Sequence, residues 1–553
     1  MRSVFAKASK KSVVAAALSL CLMLGFAGEA AAAGGMASFP AVKTASGAAE
    51  QAEPVRAVTY AGHEWVINFW SSETEYMAED FQRIREDGFN TVILCVPWRE
   101  FQPYVTGGSF NGYAFEKLKK VCQGAGEAGL SVMLRLGYTW DYYDNSDILL
   151  RYRKLIYDES YRSAWKRYAR EVYQTVSAYD NFAGAFLTWE DFWNFIDVEK
   201  QLAGTYAGRQ LAKDCGYTDY VRTKVSKEER ELLYGDPEKA EAAEFPAADS
   251  PAYRLFFDWY NTVLMDLLSD TQDVFPGISM ECRLDQDPYP MPDGSLNGYD
   301  HAVTFPCGTA AYSSVMLSAT MGFANGLELS AAQAAAMSRG LLDRAKQASG
   351  KPVFVDQFLY METTPGYEYL PHLRESEVNS YLSAMGDVFR KETLGYGLWT
   401  YRDYADSIIY NSEFGLDLKG WQARGSVSIT EYDGSRMAAL SKGGSLSQDI
   451  SYRTYLGSGN TMLSLRAVSE APVHLTVKVG DCTESVEVNG DETVTVTFPK
   501  RVAESFQIYA DGNVLLDNIK LYTHVTEGRV YGLDGSEGAY LSGVRALNAR
   551  LSR

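Results

Sequence analysis

The sequence predicts an α/β protein, a (β/α)8 TIM barrel, followed by an all-β jelly-roll sandwich. Two patterns carry this. Between about residues 58 and 415, short and almost continuously apolar runs alternate eight times with amphipathic runs of helical period, as parallel strands covered by helices require. Beyond Gly415 the helical patterns stop. Alternating runs such as TMLSLRAV, VHLTVKV and ETVTVTF, punctuated by Gly, Asn-Gly and Asp-Gly turns, replace them. The length of 553 residues suits a barrel of roughly 250 to 400 residues plus a smaller domain.

Taken in order, the chain opens with Arg2, Lys7, Lys10 and Lys11 before the apolar run Val13 to Phe26 and a small-residue stretch near Ala33. This is the pattern of a secretory signal over 1–33, cleaved to leave an exported protein. Cys21 follows Leu20 in place of the small residue of a lipoprotein site, which argues against a lipid anchor. Residues 34–57, rich in Ala, Gly and Ser, read as a disordered leader. Strands are expected at His63–Trp70, Asn90–Val96, Leu130–Leu136, Phe182–Leu187, Gly277–Arg283, His301–Phe305, Pro352–Phe358 and Tyr396–Tyr401. Helices are expected at Glu75–Asp87, Tyr113–Ala128, Glu159–Tyr179, Tyr253–Asp270, Ala331–Ala348 and Glu375–Arg390. The charged excursion 196–249 belongs outside the barrel, as helices or a lid. The barrel thus spans 58–415, the sandwich 416–525, and a tail of uncertain structure 526–553. An open doubly wound sheet would need a Gly-rich phosphate fingerprint after the first strand, and none is present.

Charge narrows the partners. Removal of residues 1–33 takes four basic residues and one acid from a net charge of −19 and leaves −22. Nucleic acid, anionic membrane and strongly anionic polymers are disfavoured, and neutral or cationic glycans fit better. No later apolar run approaches the roughly 20 residues of a bilayer span. The expected protein is monomeric and needs no cofactor or metal. Its cysteines lack CxxC spacing, its five histidines show no HxxEH-like pattern, and no GxSxG elbow occurs, which sets esterase and deacetylase chemistry aside.

The site is expected where strands meet their following loops. The fourth strand, FAGAFL, breaks into Trp189, Glu190, Asp191 and Trp193, acids beside indoles. Indole faces stack on pyranose rings, and an acid of raised pKa protonates a glycosidic oxygen. Other strand ends offer Trp98, Arg135 with Tyr138, Glu281, Asp356 with Gln357, and Trp399 with Tyr401. Any one of these could be a cap or a structural ion pair. Together they describe glycan cleavage more closely than phosphoryl or hydride transfer.

FLTWED, KPVFVDQF and GYGLWTY resemble the fourth, seventh and eighth strands of the retaining glycosidase clan that includes the family-five cellulases and mannanases. The stretches GLDLKGWQARGSVSI, GGSLSQDI and VLLDNIKLY resemble jelly-roll carbohydrate-binding modules. The barrel resemblance covers about residues 60–415. It implies Glu190 as the acid/base and Trp399 as a sugar-stacking platform. Two departures stand out: Trp189 replaces the Asn that usually precedes the acid/base, and Gln357 falls where the nucleophile Glu belongs. A neutral amide cannot serve as an ionised nucleophile. Asp356 beside it, or Glu281 from the fifth strand, can supply the second carboxylate; otherwise the barrel binds glycan without cleaving it. In the first two cases Trp98, Tyr138, Trp193, Trp399 and Tyr401 form subsites, with Arg135 holding a hydroxyl or lowering a carboxylate pKa.

Overall fold

The computed structural model describes residues 53–72, 76–139, 149–188, 190–283, 289–290, 296–297, 307–320, 326–361, 369–451, 457–498 and 505–552. Eight parallel strands close into a barrel in sequence order: β1 (Val55–Thr59), β2 (Thr91–Pro97), β3 (Ser131–Gly137), β4 (Phe182–Leu187), β5 (Ser279–Arg283), β6 (Ser313–Ser318), β7 (Val353–Leu359) and β8 (Gly395–Leu398). VRAVT, TVILCVP and SVMLRLG are buried along their whole length, because one face of each strand meets the lumen and the other the helices. Val55, Ala57, Ile93, Met133, Phe186, Tyr312 and Phe354 fill the lumen floor. The opposite strand faces join the large core beneath α1 (Met77–Glu86), α2 (Gly112–Glu127), α3 (Glu159–Val176), α4 (Glu190–Leu202), α5 (Tyr253–Gln272), α6 (Ala331–Ser349) and α7 (Val378–Glu392). Gly397 is required by packing: a Cβ there would lie 2.4 Å from Ile93 Cδ1 and 2.7 Å from the Asp356 carbonyl oxygen.

Three expectations are corrected. The first strand is Val55–Thr59, so ordered structure begins inside the stretch read as leader. His63–Trp70 is a turn leading into a 3-10 helix at Asn68–Ser71, whose Phe69 and Trp70 are buried and whose Trp70 indole donates to the Cys95 carbonyl at 2.8 Å. Its aromatic residues are apolar because they pack over the barrel, not because they pair. The sixth strand is Ser313–Ser318, a serine-bounded SSVMLS; the expected His301–Phe305 lies outside the described residues. The excursion 196–249 is helical after α4, with short helices Tyr206–Asp214, Tyr217–Lys224, Lys227–Tyr234 and Pro237–Ala242. Its Tyr217 and Phe245 pack on Trp259 of α5 at ring-centre separations of 5.4 and 6.1 Å.

The sandwich comprises β9 (Tyr404–Ser407), β10 (Gln422–Arg424), β11 (Val427–Tyr432), β12 (Ser435–Leu440), β13 (Ser445–Asp449), β14 (Ser458–Val479), β15 (Cys482–Phe498), β16 (Ser505–Ala510) and β17 (Val514–Val525). Its inward positions, among them Leu446, Leu463, Leu475, Phe506 and Leu516, form a second core. β14 pairs along its length with β15, with a register break between Ser469 and Val473, and on its other edge first with β17 and later with β16. The sandwich begins earlier than expected, because β9 pairs antiparallel with β17. A partly buried ion pair joins it to the barrel: Lys520 Nζ lies 2.5 Å from Glu64 Oε1. Burial alone would lower the Lys520 pKa, but Glu64 holds it above its ordinary value.

The stretch read as a tail is the largest topological correction. Residues 541–551 form α8 (Leu541–Leu551), which buries Leu541, Val544, Leu547 and Leu551 against α7. Asn548 donates to the Asp87 carbonyl at the end of α1 (2.9 Å) and accepts from Tyr396 of β8 (2.7 Å), while Arg545 Nε reaches Asp87 Oδ1 at 2.8 Å. This helix takes the place of the eighth barrel helix. The sandwich is therefore inserted between β8 and α8. Among the described residues no helix is long and apolar enough to cross a membrane, and Cys95, Cys122, Cys215, Cys282, Cys307 and Cys482 carry free thiols.

Candidate active site

Alternation along β3 and β5 points Arg135 and Glu281 into the lumen above the apolar floor. Glu281 is level with Ser314 of β6, which is level with Phe354 of β7. At β7 the register shifts after Val355 against both neighbours. Val355 and Phe358 both belong to the outer core, so the two residues between them share the lumen side. The bulge thus presents Asp356 and Gln357 together, which a regular strand would have pointed to opposite faces.

Arg135 Nη2 lies 3.1 Å from both Glu281 oxygens, and its Nη1 donates to the Tyr138 hydroxyl at 2.9 Å. Tyr138 sits on a turn with φ +50°, a conformation rare outside glycine that brings its ring back over the guanidinium. Arg135, Glu281 and Asp356 are each at most 2% exposed. Neither Asp356 oxygen accepts a hydrogen bond from a described group, and its carboxyl lies near enough to Glu281 for the two charges to interact. Two carboxyl groups so placed have only lone pairs to offer unless one of them holds a proton. Burial, and then the Glu281 charge, push the Asp356 pKa well up, with Arg135 opposing. Burial and the neighbouring Glu281 thus favour the neutral form of Asp356, against the pull of the guanidinium.

Above this pair lies the indole of Trp399, 9% exposed, its ring centre 5.9 Å from the Arg135 guanidinium carbon. Gln357 is 7% exposed, and its side-chain oxygen has no hydrogen-bond partner among the described residues, as is true of the Ser314 hydroxyl. The lumen therefore holds polar atoms able to receive the hydroxyls of a ligand or water. An apolar cavity lined by Leu136, Trp165, Leu264 and Met280 lies outside the barrel wall and takes no part in this arrangement. No group of metal-ligand side chains occurs among the described residues.

Arg135, Tyr138, Glu281, Asp356, Gln357 and Trp399 are thus brought together. Glu190 opens α4 three residues beyond the end of β4; its side chain and that of Trp193 lie outside the described residues. Trp98 is not a platform: it is fully buried, bonds Gln102 at 2.7 Å and packs edge-on to Trp165. The turn after Pro97 swings it out of the lumen to meet α3. Tyr401 is likewise withdrawn, its hydroxyl donating to Asp87 Oδ2 at 2.8 Å. Sequence reading missed Glu527, which accepts the Trp399 indole N–H at 2.7 Å. Nothing in its local sequence marks it, since it reaches the rim only through the return from the sandwich. His63, half-buried and beside Arg402, is pushed down to about 4, so it is neutral near pH 7.

The chain is a closed (β/α)8 barrel carrying an inserted β-sandwich, with an acid pair and an arginine in the lumen. No family model and no curated protein matches it. Solved structures of similar course include family-five glycoside hydrolases. One from Bifidobacterium longum, in complex with Manβ1-4GlcNAc, has 13% identity and a TM-score of 0.39 over 64% of this chain and 69% of that one. One from Streptomyces cattleya with the same ligand has 17% identity and a TM-score of 0.39 over 64% and 72%. An exo-β-1,4-mannosidase from an Opitutaceae bacterium has 14% identity and a TM-score of 0.38; this chain spans about half of it, 64% against 52%. Likeness at this level says nothing of reaction or substrate.

Proposed function

We propose that the protein is an exported, monomeric glycoside hydrolase that cleaves glycosidic bonds in a neutral or cationic extracellular polysaccharide from the C-terminal face of the barrel. The observation that carries this is the Arg135–Glu281–Asp356 constellation, buried in the lumen beneath the Trp399 indole. Glu281, paired with Arg135 at 3.1 Å, supplies the second carboxylate; Asp356, whose burial favours its neutral form, is the less suited of the two. Glu190, at the first turn of α4, acts as general acid on the leaving oxygen. Glu281 then attacks the anomeric carbon or activates a water, according to whether its carboxyl lies roughly 5 to 5.5 Å or 6.5 to 9.5 Å from that of Glu190. The Glu281 and Asp356 charges interact directly, so the two act as one unit. Gln357 Oε1 and Ser314 Oγ are placed to accept sugar hydroxyls. A net charge of −22 after signal removal supports a neutral or cationic polymer and disfavours nucleic acid and anionic membrane.

The test is reducing-end release from a panel of β-glucans, mannans and amino-sugar polymers. Glu190→Gln and Glu281→Gln should each abolish release while leaving polymer binding near wild type. Retained hydrolysis in either would remove that residue from the mechanism. A second reading, a polysaccharide-binding protein without turnover, is favoured by Gln357 at the expected nucleophile position beside Asp356, whose pKa is raised by burial. Binding to one polymer with no release from any would select it.

A further inference from the structure

The limb leaving the sandwich crosses the C-terminal rim of the barrel before it becomes α8. On it, Glu527 uses both carboxylate oxygens: Oε1 accepts the Trp399 indole N–H at 2.7 Å and Oε2 accepts the Tyr404 hydroxyl at 2.8 Å. Its own backbone N–H donates to Asp403 Oδ1 at 2.9 Å, and the other oxygen of Asp403 meets His524 Nε2 at 3.1 Å. The Tyr360 hydroxyl donates to the Gly528 carbonyl, and Gly528 lies so near the strand end that a Cβ on it would stand 3.6 to 3.7 Å from the Thr400 and Trp399 carbonyl oxygens. The indole is thus anchored from a segment more than one hundred residues away, with the Arg135 guanidinium 5.9 Å from its ring centre.

We infer that Glu527 is a positioning residue for sugar binding, fixing the plane of the Trp399 indole so that the sandwich serves the barrel site through this limb. The inference rests on the reading of the barrel as a glycan site. An indole has two free torsions, and a charge-assisted bond at its N–H selects one orientation of the ring. Without that bond the stacking face is present but not held where a pyranose needs it.

The test uses the full chain with Glu527→Ala, Glu527→Gln and Glu527→Asp, each made also with Trp399→Phe. Acrylamide quenching of the Trp399 contribution, taken as the difference between each protein and its Trp399→Phe counterpart, reads the indole without any sugar. It should rise in Glu527→Ala and Glu527→Asp and stay near wild type in Glu527→Gln, whose amide oxygen still accepts the indole N–H. Calorimetry with mannohexaose and cellohexaose should then show affinity about tenfold weaker in Glu527→Ala, and no weaker still when Trp399→Phe is added. Should Glu527→Ala fail to fold, Glu527→Asp gives the same readings. Unchanged quenching, or sugar affinity equal to wild type, would overturn the inference. A wild type that holds neither these hexasaccharides nor an amino-sugar hexamer, with the quenching change present, refutes the glycan reading of the barrel and leaves Glu527 as the anchor of the indole alone.

Discussion

Replacing Asp356 with Asn tests whether this buried acid is protonated. The substitution keeps shape, removes the titration and offers an N–H to Glu281 in place of the shared proton. Because the folded-state pKa of Asp356 is raised, its contribution to stability is fully present below the unfolded value, about 3.9, and is lost as pH rises through the folded value. Between those limits the native state holds one proton more than the unfolded chain. Wild-type stability should then fall relative to Asp356→Asn as pH rises above the unfolded value, by at most about 1.4 kcal/mol per pH unit. Urea denaturation of both proteins at half-unit intervals measures the difference directly. At pH 7 the variant should be the more stable of the two. It should also keep measurable turnover, because it removes no negative charge from the site. Parallel stability curves across this range would refute protonation of Asp356, and loss of all hydrolysis would restore it as the nucleophile.

Other substitutions probe the frame. Trp98→Ala should destabilise the fold by about 3–5 kcal/mol in thermal or urea melts, with no selective weakening of polysaccharide binding, since the ring packs on Trp165 and not on the lumen. Lys520→Met strands Glu64 uncompensated at the domain interface and should cost about 3–5 kcal/mol; Lys520→Met with Glu64→Leu should recover most of that loss, read as a melting temperature. Asn548→Ala removes the bonds to Tyr396 and Asp87, leaves a buried hydroxyl and a buried carbonyl unpaired, and should lower stability by about 2–4 kcal/mol in the same assay.

What could be read from the residues, and what could not, follows from the range of the interactions involved. FAGAFL and KPVFVDQF are legible as strands because parallel pairing buries both faces and leaves a continuous apolar signal. HEWVINFW carries the same signal for another reason, its aromatic residues packing over the barrel, while VRAVT is obscured by Arg56, whose guanidinium donates to the Gly88 carbonyl at 2.7 Å. The acids at the strand ends were visible, but the bulge that turns Asp356 and Gln357 to one side is a matter of register, which local pattern does not encode. Trp98 and Tyr401 stand at strand ends as expected, yet the following turns carry their rings to partners on α3 and α1. Glu527 and α8 were beyond reach, since their partners lie over one hundred and over four hundred residues away.

That last separation governs how the molecule must come into being. When β8 has been synthesised, the eight strands are complete but α7 and the end of α1 still expose the surface that Leu541, Val544, Leu547 and Leu551 will cover. The missing piece arrives only after the whole sandwich has been threaded through. Barrel and sandwich therefore cannot mature as two successive units during synthesis, because the face of α7 stays uncovered until α8 has been made. A ribosome stalled inside the sandwich would leave a barrel without its last stave cover, a natural substrate for proteases. Conversely, a single nick in a sandwich loop of the finished protein would leave both fragments gripped, since each end of the cut chain is already built into the barrel wall.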